Sequence, residues 1–197
     1  VVEDSGPQIV PSWAPNISAG PANESNQTLT FLASNNNPSL FSVPPSISAN
    51  GTLSYTPREN ANGTATITVT LKDDGGTANG GVDANVQTFR IDVSPVNDEP
   101  VLIPISDKVV AVGSELSFGI AASDVDGDKL MYVLAAGAPA GASIDPASGM
   151  FRWTPPVSQG GARHLITVRA TDSGSPNLIV VRTFAVDVLR VNGAPRI

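Results

Sequence analysis

The sequence contains no cysteine among its 197 residues. This absence excludes a disulfide framework, a thiolate metal site and a cysteine nucleophile. Basic residues are also scarce, because 11 Lys and Arg stand against 18 Asp and Glu for a formal net charge of −7. A nucleic-acid-binding surface needs clustered Lys and Arg, so the charge balance predicts no nucleic-acid partner and is compatible with cations.

Long apolar runs and targeting segments are missing as well. No apolar stretch approaches the length of about 18 residues that spans a bilayer, and no basic segment precedes an apolar one. We therefore expect no membrane insertion by this segment and no signal peptide within it. The sequence at each end of the chain has the pattern of a strand, so we expect the chain to be a piece of a longer protein.

Aromatic residues (5%) and charged residues (15%) are few, whereas glycine (18) and proline (17) are abundant. That composition is typical of short strands joined by many turns. The apolar content of 41% is sufficient for a packed core.

The chain also contains an internal repeat, which indicates two homologous domains. Three blocks recur in the same order at offsets of 95 to 99 residues: Phe89–Pro100 with Phe184–Pro195, Ala49–Pro57 with Ala147–Pro155, and Ile67–Asp73 with Ile166–Asp172. The repeat predicts one domain over residues 1–97 and a second over residues 98–197.

Within each copy, apolar residues alternate with polar ones, which is the pattern of a strand with one buried face. Between Thr64 and Asp73, for example, Ala65, Ile67 and Val69 alternate with threonines. Frequent Asn-Gly, Asp-Gly and Ser-Gly pairs predict turns between such strands. The sequence therefore predicts an all-β protein of two antiparallel β-sandwiches, each of about seven strands.

Three carboxylates, on Asp124, Asp126 and Asp128, lie within five residues of one another, just before a predicted strand. Asp172 ends another predicted strand in the phase of its buried residues, and should stand at one pole of the sandwich. The oxygen-rich set, without nitrogen or sulfur ligands, predicts a hard cation, and its size favours Ca²⁺ over Mg²⁺. An EF-hand is excluded because Lys129 occupies the position of the required glycine and Ala135 that of the bidentate glutamate.

The linker Val96-Asn-Asp-Glu-Pro100, the Asp124-x-Asp126 pair and the strand-end Asp172 resemble the motifs of bacterial cadherin-like tandem repeats. The second domain further resembles dystroglycan-type cadherin-like domains, and together the likeness covers nearly the whole chain. The resemblance implies two tandem Ig-like or cadherin-like sandwiches with Ca²⁺ at their junction. Carried over position by position, it implies these ligands: Glu3, Glu59, Asn97, Asp98, Asp124, Asp126 and Asp172.

Several positions depart from the family pattern. Pro95 stands where the family often has another aspartate, which predicts fewer ions at the junction. The first domain has only Glu24, Asp73 and Asp74 at the corresponding pole, predicting a weak site. Beyond the second domain, Asn192-Gly193 replaces Asn97-Asp98, which predicts only a weak polar site there, with Glu115 as a contributor.

The resemblance implies a calcium-binding stalk or cell-adhesion module of a larger secreted or surface-anchored, bacterial protein. Its partners would be calcium, neighbouring domains of the same polypeptide, and another surface protein or a polysaccharide. No catalytic constellation is present in the sequence, so we expect no enzyme.

Two alternatives remain open from the sequence. A polysaccharide-binding accessory module would need an exposed aromatic residue such as Trp13 or Trp153, although Trp153 and Tyr55 fit core positions better. An inert spacer without a metal would use its carboxylates only for solubility, since Asp-x-Asp-Gly-Asp alone is typical of a solvated turn.

Overall fold

The structure is a computed structural model that describes residues 1–78 and 81–191. The chain divides into two compact units, Val1–Val96 and Asn97–Ile197. In the described residues the regular structure is β-strand apart from short 3-10 turns, which confirms the all-β prediction. Those residues include no helix long and apolar enough to cross a bilayer.

The described residues of unit 1 form two three-stranded sheets. Its strands are β1 (Gln8–Val10), β2 (Thr30–Asn35), β3 (Phe41–Ile47), β4 (Leu53–Pro57), β5 (Gly63–Lys72) and β6 (Ala84–Val93). One sheet has the order β1-β4-β3 and the other β2-β5-β6, and all of these pairings are antiparallel.

The core of unit 1 follows the alternation in the sequence. In β5, Ala65, Ile67 and Val69 are buried, while the intervening threonines are not. Tyr55 on β4 is buried and packs edge-on against Phe41, so its predicted core position is confirmed.

The described residues of unit 2 form more strands than those of unit 1, and most of these strands are short. They are β7 (Val101–Leu102), β8 (Lys108–Ala111), β9 (Leu116–Gly119), β10 (Ala122–Ser123), β11 (Met131–Leu134), β12 (Ser143–Ile144), β13 (Met150–Trp153), β14 (Arg163–Thr171) and β15 (Ile179–Leu189). The main sheet has the order β11-β14-β15-β8, with β8 parallel to β15, and faces the sheet β12-β13-β9.

Aromatic side chains fill the centre of unit 2. Phe151 and Phe184 are fully buried and meet edge to face at a centroid distance of 5.6 Å. Trp153 is only 1% exposed, and the ring of His164 packs edge-on against it. Trp153 is therefore a core residue and is not available as a surface platform.

The strand register of unit 2 also decides where its acidic residues meet. Strands β11 and β14 are antiparallel, with Met131 opposite Thr171. The chain therefore enters β11 at the same edge at which it leaves β14. This arrangement carries the turn before β11 and Asp172, the residue after β14, to one pole of the unit.

Candidate metal centre

The turn before β11 is organised around the carboxylate of Asp124. Its Oδ1 accepts the backbone N–H groups of Asp126 at 3.0 Å and Asp128 at 3.1 Å. Gly127 has a φ of +79°, a left-handed conformation that glycine adopts without a Cβ penalty. These local hydrogen bonds and the conformation of Gly127 thus hold the three aspartates on one short turn.

The three carboxylates of this turn form a cluster. One oxygen from each of Asp124, Asp126 and Asp128 lies within 4.8 Å of the other two. The hydroxyl of Ser173 donates to Asp128 Oδ1 at 2.7 Å, and the backbone N–H of Asp98 donates to Asp126 Oδ2 at 2.8 Å. These contacts fix the direction of two of the three side chains.

Asp124 retains one carboxylate oxygen that the surrounding protein does not satisfy. Its Oδ2 is buried, and no hydrogen-bond donor reaches it from the described residues. Buried polar atoms nearly always have a partner, so an unpartnered anionic oxygen beside two further carboxylates is unusual. The arrangement fits a bound cation, because hard cations take carboxylate oxygens as ligands.

Asp172, at the same pole, is buried with 4% of its surface exposed. Burial is the largest influence on the pKa of Asp172 and acts to raise it. Hydrogen bonds from the N–H of Leu178, the amide of Asn97 and the N–H of Gly174 together outweigh burial and hold that pKa below its ordinary value. Asp172 is therefore a carboxylate that this unit keeps ionised.

The side chain of Asn97 is held next to Asp172. Its Nδ2 donates to Asp172 Oδ2 at 3.0 Å and to the carbonyl of Pro176 at 2.9 Å. Since both neighbours are acceptors, the amide orientation is determined, and Oδ1 is left buried without a donor from the described residues. Gly174 makes room for this amide, because a Cβ there would overlap Asn97.

The two candidate ligands of unit 1 differ in burial. Glu3 is 1% exposed, and its Oε1 accepts the N–H of Val96 at 2.8 Å while its Oε2 accepts Asn62 Nδ2 at 3.3 Å. Glu59 follows β4 and is exposed. The buried Glu3 carboxylate is thus bound to the residue that directly precedes Asn97 in the chain.

The structure therefore brings five of the sequence-predicted residues to one pole of unit 2, through the contacts described above: Asn97, Asp98, Asp124, Asp126 and Asp172. Asp128 lies with them; the sequence predicts it as part of the carboxylate cluster, although the resemblance leaves it out of the ligand set. Their role as ligands, and that of Glu3 and Glu59, stays a prediction.

At the two sites predicted to be weaker, three carboxylates have hydrogen-bond or ion-pair partners within the protein. Asp73 accepts the N–H of Gly75 at 2.8 Å, and Asp74 accepts that of Thr28 at 2.8 Å, which lowers the pKa of Asp74. Glu115 forms a surface ion pair with Arg152 at 3.0 Å. The predicted change at Asn192-Gly193 lies outside the described residues.

Family models match each unit separately. The model described as "Bacterial Ig domain" matches residues 5–85, and the one described as "Putative Ig domain" matches residues 99–188. No curated protein matches the sequence significantly.

Solved structures of cadherins match across both units. The EC22-24 fragment of mouse cadherin-23 superposes with a TM-score of 0.53 at 20% identity, over 82% of this chain and 53% of that one. Extracellular cadherin domains 1-5 of protocadherin gamma B2 give 0.54 at 18% identity, over 96% of this chain and 41% of that one. The chain therefore has the fold of a tandem of cadherin-like, Ig-like β-sandwiches. It spans about half the length of these two structures, and at such identities the likeness concerns the fold.

Proposed function

We propose that this tandem is a calcium-binding module in which Ca²⁺ at the acidic pole of unit 2 stiffens the connection between successive domains. The observation that carries the proposal is the cluster of Asp124, Asp126 and Asp128, with a buried and unpartnered oxygen on Asp124. Like charges this close destabilise a fold unless a cation neutralises them. A set made only of oxygen ligands suits Ca²⁺, which takes six to eight of them.

The linker residues supply the second argument. The N–H of Asp98 donates to Asp126, and the amide of Asn97 donates to Asp172, so the start of unit 2 is attached to its acidic pole. Val96, which precedes Asn97, donates its N–H to the buried carboxylate of Glu3 in unit 1. A shell that includes Glu3 and Glu59 beside the ligands of unit 2 would restrain the linker from both ends.

The mechanism is electrostatic. When bound, calcium supplies the positive charge that the carboxylates lack, while the chain's own residues hold those oxygens in place. Because the ion binds the ordered arrangement and not the unfolded chain, it stabilises that arrangement in proportion to its affinity. Pro95 and Pro100 further restrict the backbone on either side of the linker.

The wider role follows from this mechanism and from the resemblance to cadherin-like repeats. A chain of such domains, each junction stiffened by calcium, would act as a stalk or adhesive segment of a larger secreted or surface protein rather than as an enzyme. The protocadherin fragment that shares the fold is itself extracellular. The dystroglycan-type assignment of unit 2 and a bacterial surface location are part of this proposal.

Thermal unfolding in chelator, in Ca²⁺ and in Mg²⁺ tests the proposal. Calcium at 100 times its Kd should stabilise the fold by about 2.7 kcal/mol, which raises the Tm of a domain this size by roughly 10–20 °C. The double variant Asp124→Ala/Asp126→Ala should lose this increase, while Glu115→Ala, which removes an exposed carboxylate of the same unit, should keep it. An unchanged Tm of the natural chain in Ca²⁺ would refute the proposal.

A further inference from the structure

Strand β6 of unit 1 changes character along its inward face. Ile91 and Val93 point into the core and are buried, and Phe89, the next residue in the same phase, is half-buried against that core. Beyond Phe89 toward the start of the strand, the same phase continues with the carboxamides Gln87 and Asn85, which are exposed. In unit 2 the repeat places the buried Val180 at the position of Asn85. Polar residues in the buried phase of a strand contradict the pattern that specifies the fold, and such exceptions concentrate at functional sites.

These carboxamides line a cleft of about 280 Å³ in unit 1. The half-buried indole of Trp13 and the ring of Phe31 form its apolar surface, together with Val69 and Leu71 of β5. Register pairs Gln87 with Val69 and Asn85 with Leu71, so amides and apolar side chains alternate across the inner face of one sheet. The cleft is close to the lower limit of about 300 Å³ for ligand pockets.

The wall of the cleft is held in place by the core of unit 1. The Trp13 ring lies 4.6 Å from that of Phe89, at 47° to it, and the next N–H, of Ala14, donates to the carbonyl of Gly51 at 3.0 Å. Gly51 allows this approach because it has a φ of +79° and because a Cβ there would collide with the Ala14 carbonyl. The cleft is therefore formed before any ligand binds, which lowers the entropic cost of binding.

The chemistry of the lining identifies a ligand class. None of the described residues that line this cleft is charged, and Gln87 Nε2 already donates to Asn85 Oδ1 at 3.2 Å, which aligns the two amides. A carboxamide offers both donors and acceptors, as does a sugar hydroxyl, and an aromatic ring provides a face for the apolar side of a sugar. A purely apolar ligand would leave the amides without partners, and a charged ligand would find no counter-ion.

We propose that the cleft of unit 1 binds a neutral saccharide, with Trp13 as the stacking surface and Asn85 and Gln87 as hydrogen-bonding residues. The cleft shares no residue with the candidate calcium ligands, so loss of calcium binding is not expected to affect saccharide binding, and the reverse also holds.

Affinity electrophoresis and calorimetry on the whole tandem test this inference. The probes are cellohexaose, xylohexaose, maltohexaose and mannohexaose with their parent polysaccharides, and an oligogalacturonate as the charged comparison, each in chelator and in Ca²⁺. We expect binding of at least one neutral glycan in both buffers and none of the oligogalacturonate. Trp13→Ala should weaken binding about tenfold or more, as expected for loss of an aromatic anchor.

Two further variants separate a binding defect from a folding defect. Asn85→Leu/Gln87→Leu changes only exposed side chains and should weaken binding at least tenfold with an unchanged Tm. Thr88→Ala, which changes the residue directly after Gln87 on the opposite face of β6, should bind as the natural chain does. The proposal is overturned if none of the neutral glycans binds at millimolar concentration, or if the Asn85→Leu/Gln87→Leu variant binds them unchanged.

Discussion

Replacing Glu3 by glutamine is expected to change the stability of unit 1 in opposite directions with and without calcium. Glu3 is 1% exposed, and none of the ion pairs in the described part of the chain includes it. Burying a carboxylate without a cation costs several kcal/mol. Its two hydrogen bonds, from Val96 and Asn62, recover about 1.5–3 kcal/mol each because the acceptor is charged, compared with about 1 for a neutral acceptor.

Glutamine keeps an oxygen for the N–H of Val96 and removes the charge. In chelator, Glu3→Gln should therefore stabilise unit 1 by about 1–2 kcal/mol, which raises its Tm by roughly 4–16 °C. In calcium at 100 times the Kd, the natural chain gains about 2.7 kcal/mol that the variant lacks, so the order of stability reverses.

Differential scanning calorimetry of the tandem in both buffers measures this reversal. Glu59→Gln is the matched control for the chelator arm, since an exposed carboxylate should change stability by less than about 0.5 kcal/mol there. If Glu3→Gln lowers the Tm equally in chelator and in calcium, Glu3 is a satisfied structural residue and the reasoning fails.

Two further predictions concern the acidic pole of unit 2. The folded-state pKa of Asp172 lies below its ordinary value of 3.8, so this carboxylate contributes stability above that pH and loses it as the pH falls through the folded pKa. Asp172→Asn should therefore flatten the acid limb of a curve of stability against pH measured by urea unfolding. An unaltered acid limb would contradict the conclusion that the fold keeps Asp172 ionised. Gly174→Ala should displace the amide of Asn97 and reduce the calcium-induced rise in Tm, whereas Gly119→Ala, where a Cβ meets nothing within 4 Å, should leave that rise intact. An equal rise in both variants would show that the placement of Asn97 does not matter for the metal.

Much of the fold could be predicted because one face of each long strand is buried. Ala65, Ile67 and Val69 on β5, and Ile166 and Val168 on β14, are all buried as their alternation predicts. A shift of one residue would expose the whole set, so the sequence determines the phase of these strands strongly.

The strand number was less predictable, because short strands depend on turns rather than on alternation. The described residues form six strands in unit 1 and nine in unit 2, compared with about seven expected for each. Strand β12 has two residues and lies between Gly141, with a φ of +85°, and a turn in which Asp145 accepts the N–H of Ser148 at 2.7 Å. Such a strand leaves too few residues for a period to be recognised.

The candidate site was predictable only in part for a similar reason. Asp124, Asp126 and Asp172 could be selected from spacing and strand phase, but the hydrogen bonds from Asn97 to Asp172 and from Asp98 to Asp126 join residues far apart in the chain. The cleft in unit 1 was likewise only partly predictable from the sequence. Gln87 and Asn85 continue the phase of Ile91, a signal present in the sequence, whereas nothing local predicts that Trp13 packs beside them.

The crowding of carboxylates before β11 can be explained by what the turn itself satisfies and what it does not. The backbone N–H groups of Asp126 and Asp128 occupy only one oxygen of Asp124, so the turn can fold from its own hydrogen bonds. The other oxygen of Asp124 stays buried without a donor from the described residues. A turn selected only for solubility would have no reason to bury that oxygen, because hydration is what makes an exposed carboxylate favourable. The burial of this one atom is thus the observation that favours the proposed cation site over a solvated turn. The Asp124→Ala/Asp126→Ala variant, measured in chelator as well as in calcium, distinguishes a cation site from a solvated turn. In chelator the variant should be less stable than the natural chain only by the hydrogen bonds that the turn loses. In calcium the variant should be much less stable than the natural chain.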